Sequence, residues 1–93
     1  MPKYYRYKVA GYFLYFTSFC IVECMHVHAS DRQLTERGSA KLFVRADGSS
    51  EVQKRGSLGD RELLTIQRFI GEHYLEMHET WLQYGGKGEF YEG

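Results

Sequence analysis

One run of residues, from about Gly59 to Tyr84, decides much of what this chain can become. Leu63, Ile66, Ile70, Met77, Trp81 and Tyr84 recur there at the spacing of one helix face, with His73 or Tyr74 in the gap. Arg61, Glu62, Arg68, Glu72, Glu76 and Glu79 supply most of the solvated side. Ser57, with Asp60 three residues on, opens the run in a capping-box-like arrangement, and Gly85-Gly86 closes it, so the helix is expected within 57–86. Gly71 weakens its middle by about 1 kcal/mol relative to Ala, which predicts a kink or close packing there. Its apolar stripe needs a surface to lie on.

That surface must come from the preceding part, because 93 residues hold one domain and no second. The expected layout is a single domain over 1–93: mainly β from 1 to 55, helix from 57 to 86, and a loose tail over 87–93 in which Phe90 and Tyr91 are able to dock. Lys3 to Val9 and Tyr12 to Ser18 read as two strands around Ala10-Gly11, with Tyr5, Tyr7 and Val9 on one face and Tyr4, Arg6 and Lys8 on the other. Gly11 takes a positive φ easily and Ala10 only at a cost, so the register of this hairpin is open. Phe19 to Glu23 is ambiguous between strand and loop. In Cys24 to Ser30 the apolar Met25, Val27 and Ala29 alternate with Cys24, His26, His28 and Ser30. Asp31 to Ser39 is polar and predicts a loop. Ala40 to Ala46 and Ser50 to Arg55 form a second hairpin across Asp47-Gly48, with Leu42 and Val44 facing away from Lys41, Phe43 and Arg45. The fold class that follows is α+β: an antiparallel sheet of four to five strands, two hairpins plus the His-x-His strand, covered by one long C-terminal helix.

Charge and cysteine content narrow the function classes. Twelve basic and twelve acidic residues cancel, but residues 1–55 hold a balance of +4 and residues 56–93 one of −4. The basic residues are scattered over the strands, as on an ordinary solvated surface. Cys20 and Cys24 have no second pair for a four-cysteine zinc site and read as thiols in a reducing compartment. The apolar run Val9 to Val22 follows a basic start, as in a signal peptide. However, Gly11, Thr17 and Ser18 interrupt it, no small-residue cleavage site follows, and it is too short to span a bilayer. A cytoplasmic protein with no membrane partner is expected.

The one local pattern able to carry chemistry is Glu23-Cys24-Met25-His26-Val27-His28-Ala29. On a strand, alternate residues point the same way, so His26 and His28 can share a metal ion or act as base and acid on a phosphodiester. Cys24 extends the row, and Cys24, His26 and His28 are ligand types that zinc accepts, with Glu23, Asp31 or a helix carboxylate to complete the set. The plainer alternative, which the residues favour, makes the imidazoles buried structural groups bonded to backbone carbonyls and packed on tyrosines. Lys41, Phe43 and Arg45, with Lys54 and Arg55 beside them, form a weaker candidate for RNA binding. His73 and His78 lie on different helix faces and read as packing or surface residues. None of the glycines forms a phosphate-binding array.

Several of these features in order resemble a family of small bacterial proteins, the domain-of-unknown-function family numbered 4160. They are the Met1-Pro2 start, the aromatic stretch Gly11-Tyr12-Phe13-Leu14-Tyr15-Phe16, the Glu23-to-His28 stretch, Ala40-Lys41-Leu42-Phe43-Val44, then Arg61-Glu62-Leu63, Ile66, Ile70 and Trp81-Leu82-Gln83-Tyr84-Gly85-Gly86. This chain has Cys24 where members commonly carry proline. The resemblance implies no activity. It implies membership of two-gene operons proposed as toxin–antitoxin systems, hence a protein partner from a neighbouring gene. The expected function is therefore an interaction component of such a module without a cofactor. The alternatives are a histidine-dependent RNA-acting enzyme using His26 and His28, and a metal-binding module, with zinc as its ion.

Overall fold

The structure, a computed structural model, describes residues 3–16, 24–31, 38–85 and 89–92. Cys20, Glu23, the ambiguous stretch 19–23, most of the polar loop after Asp31, and Gly86 lie outside the described residues. The described elements are β1 (Phe13–Tyr15), β2 (His26–Ser30), β3 (Ala40–Val44), β4 (Ser50–Lys54) and α1 (Asp60–Gln83). The strands form one antiparallel sheet in the order β1-β2-β3-β4, so each strand pairs with its sequence neighbour. This is the expected α+β arrangement of a four-stranded antiparallel sheet and one C-terminal helix.

Pairing is set by turn chemistry and by alternation. At the first turn Ala10 and Gly11 both have positive φ, 54° and 88°, and Val9 and Tyr12 exchange N–H···O bonds of 2.8 and 3.0 Å. That is the twist-matched two-residue hairpin geometry, reached with Ala in a position normally given to Gly or Asn. The first run does not continue as a strand. Lys3 bridges Tyr15 and Val9 bridges Tyr12, and between them the chain leaves the ladder. Tyr4 enters the core, and the stacked pair Tyr5–Tyr7 reaches α1 at Phe69. At the second turn Gly48 donates to the Arg45 carbonyl and Arg45 to that of Ser49, with Gly48 at φ 88°. The Asp47 carboxylate accepts from the N–H and hydroxyl of Ser49.

Leu14, Val27, Ala29, Ala40, Leu42 and Val44 make one buried sheet face, and Leu63, Ile66, Ile70, Met77 and Trp81 of α1 join them in a single core. Each helix side chain so buried contributes about 1.5–3 kcal/mol, far more than the ~1 kcal/mol cost of Gly71, so packing holds the helix. At exposed Gly71 the Gly48 carbonyl lies 3.6 Å from where a Cβ would be, an ordinary contact distance, so the β3–β4 turn lies beside the helix without requiring glycine there. Two details differ from expectation. Gly59, not Ser57, is the helix N-cap, and its N–H donates to the Glu62 carboxylate at 2.9 Å, while the Ser57 hydroxyl bonds the Gly38 carbonyl. Tyr84 follows the last helical residue and is 55% exposed, although its ring stays near Phe16. No described helix is long and apolar enough to cross a membrane.

Candidate functional site

In the β2 register Tyr15, His28 and Lys41 stand side by side across the sheet, with Lys54 beyond, and His26 stands beside Phe43 and Glu51. By strand alternation both histidine side chains leave β2 on the side opposite Val27 and Ala29, and at the end of α1 the His26 ring still reaches Trp81. That face is buried along β2 as well. His26 is 1% exposed and His28 5%. Their rings meet edge to face at 5.1 Å, His28 stacks on Tyr15 at 5.4 Å, and His26 abuts Phe43 and Trp81 at 5.8 and 5.5 Å.

Hydrogen bonds fix the pair further. The Nδ1 of His26 lies 2.9 Å from the Cys24 carbonyl, which can only accept, so Nδ1 carries the proton and a neutral ring leaves Nε2 as its basic nitrogen. The Tyr4 hydroxyl donates to the His26 carbonyl at 2.9 Å and ties the N-terminal run to β2. Burial, then the nearby His26 and Lys41, push the His28 imidazole down to about 4, against a hydrogen bond to the Ala40 backbone that pulls the other way. A ring held neutral to that acidity donates no proton at neutral pH and is a weak base.

Cys24, half-buried and without a disulfide, offers its carbonyl to His26 and lines a cavity of about 440 Å³ with Glu89, Phe90 and Glu92. Among the described residues no three His, Cys, Asp or Glu side chains come together as a metal-binding group. Lys41, Phe43 and Arg45 do share one face. The Lys41 ammonium lies 5.1 Å from the Phe43 ring, whose own face is stacked by Tyr91 at 4.5 Å. Arg45 pairs with Glu51 at 3.3 Å and lies over Tyr91, whose hydroxyl donates to Glu51 at 2.7 Å and is pushed up in pKa by that carboxylate. A stacking base would therefore have to displace Tyr91.

Tyr15, Tyr91 and Trp81 are the neighbours that sequence reasoning did not attach to the site. Tyr15 was within reach, because a strand pairing with β2 must set one of its aromatic residues beside His28. Tyr91 arrives through a parallel bridge to Arg45 from the C-terminal segment, and no local pattern encodes that contact. His73 packs on Phe69 and His78 on Phe90, each at 4.2 Å, as packing residues.

A family model described as a domain of unknown function, DUF4160, matches residues 11–82. No curated protein and no solved structure matches the chain.

Proposed function

The chain belongs to the DUF4160 family of domains of unknown function, and from that premise we propose that it acts by binding a protein partner, as the interaction component of a two-gene, toxin–antitoxin-like module. The observation that carries this reading is the burial of the histidine pair, 1% and 5% exposed. A general base has to come within about 3 Å of the proton it takes, and rings packed on Tyr15, Phe43 and Trp81 offer a phosphodiester no such approach. The RNA-acting and metal-binding alternatives therefore rank below it.

A sheet edge supports the interaction reading. The outer side of β1 is taken by Lys3 and Tyr4, the latter donating to the Leu14 carbonyl at 2.9 Å. β4 is the last strand of the sheet, and Glu51, Gln53 and Lys54 on it are exposed. Since the Arg45 N–H donates to the Ser49 carbonyl and Leu42 stands opposite Val52, ladder alternation turns the Val52 N–H outward, where an added strand can accept from it beyond the Ser50 carbonyl that Gln67 of α1 already bonds at 3.1 Å.

Co-expression with the product of the neighbouring gene tests the proposal. The expected result is a complex that survives size-exclusion chromatography and is weakened about tenfold or more by Val52→Pro, a change that removes that donor but no ladder bond. Absence of a complex under mild conditions overturns the reading. Growth arrest on induced expression that His28→Gln abolishes would replace it with the RNA-acting alternative.

A further inference from the structure

The side of α1 turned away from the sheet is not uniformly polar. Leu64, Leu75 and Leu82 are 50%, 63% and 43% exposed, and around a helix of 3.6 residues per turn they fall within about 20° of one another. Gly71, also exposed, lies in the same stripe. One border is the β3–β4 turn, whose Gly48 carbonyl comes within 3.6 Å of a Cβ built on Gly71. The other border is charged and polarised along the axis: exposed Arg61 and Arg68 lie in its N-terminal half and exposed Glu72 and Glu79 in its C-terminal half.

Scattered exposed leucines need no explanation, but an aligned row on an otherwise charged helix face marks a docking surface. The charge order selects its occupant. A parallel copy of this helix would set like charge against like, whereas an antiparallel copy crossing at residue 73 sets Arg68 of each copy against Glu79 of the other. A two-fold axis near His73 brings Leu64 against Leu82 of the second copy, seats Leu75 over its Gly71 and puts Arg68 beside its Glu79. The surface is self-complementary, as a two-fold interface must be. We propose that a second copy of this chain docks here, helix against helix and antiparallel, through Leu64, Gly71, Leu75 and Leu82. A single helix pair stands near the low end of specific interfaces, about 1,000 Å² in total, so association belongs in the micromolar range.

This surface adjoins the β4 edge of the proposed partner site but shares no residue with it, so Val52→Pro and Leu75→Glu test the two proposals separately. Sedimentation of the full chain from about 1 to 100 µM should show the mass rising from 10.9 kDa towards twice that value. Leu75→Glu should hold the mass at the monomer value throughout, with unchanged circular dichroism and thermal midpoint, because Leu75 is 63% exposed and outside the core. Arg68→Glu should weaken association at least tenfold, and combining it with Glu79→Arg should restore it, an outcome special to the antiparallel pairing. A monomer at 100 µM, or a dimer indifferent to Leu75→Glu, overturns the proposal. So does a monomeric chain in which Leu75→Glu abolishes binding of the neighbouring gene's product, since the face then belongs to that product.

Discussion

In water an imidazole titrates near pH 6.5, yet burial among Tyr15, His26 and Lys41 pushes His28 down to about 4. The folded chain then keeps this ring neutral while the unfolded chain protonates it. Between those two values the unfolded state binds more protons, so stability rises with pH across the window and is lost as pH falls from about 6.5 towards 4. At ~1.4 kcal/mol per pH unit the ceiling is about 3 kcal/mol, a large share of a small domain's 5–15 kcal/mol. Urea unfolding at pH 7.0 and 4.5 should therefore show a smaller loss of stability on acidification for His28→Gln than for the wild type. Carboxylates titrate in both proteins and cancel in the comparison. Equal losses would mean that His28 is not the neutral buried group described here. A charged substrate at this site would meet the same unfavourable surroundings as the imidazolium, which is why burial weighs against phosphodiester chemistry.

Elements differ in how local their determinants are, and α1 has one determinant that can be isolated. The Glu62 carboxylate accepts the Gly59 N–H at 2.9 Å, and Asp60 and Glu62 place negative charge in the first turn, where the helix dipole favours it. Glu62→Ala should cost about 1 kcal/mol, measured by chemical denaturation. Ser57→Ala should cost less than half of that, because its exposed hydroxyl bonds the Gly38 carbonyl at 3.2 Å and no helix N–H. A larger loss at Ser57 would restore it as the cap. The helix itself was legible because Leu63, Ile66, Ile70, Met77 and Trp81 repeat at its period, and the second hairpin because Asp47-Gly48 encodes its turn locally. Alternation in β2 likewise gave its core face. What could not be read was long-range: Tyr4 leaving the first ladder for the core, Tyr91 closing over Phe43, and cover on the histidine face. A period-2 pattern assigns residues to a face and says nothing of what packs on it. Hence His26 and His28 were legible as a same-face pair, and in the plainer reading as imidazoles packed on tyrosines, but not which rings hold them: Tyr15 beside His28, Phe43 and Trp81 beside His26.

For the molecule as a whole, the joint between its two parts is Trp81. The strands form a meander whose pairings are all between sequence neighbours, so the sheet is assembled from local hairpins, while α1 must be brought back across it. Trp81 lies in the last turn of α1, fully buried, with its ring 5.4 Å from Phe16 and 5.5 Å from His26. It therefore contacts residues at the end of β1 and the start of β2 at once, and the helix cannot separate from the sheet without exposing it. Global unfolding should accordingly be a single transition, with tryptophan fluorescence and far-ultraviolet circular dichroism giving the same midpoint. Trp81→Ala removes the largest buried side chain at this joint and should cost about 3–5 kcal/mol, lowering the thermal midpoint by roughly 12–40 °C at ~4–8 °C per kcal/mol. Trp81→Phe keeps a ring against Phe16 and should lose clearly less. If instead the fluorescence midpoint falls below that of circular dichroism, the end of α1 detaches before the sheet melts. The histidine face would then open in a partly folded state, with His26 losing its cover from Trp81 before the sheet melts.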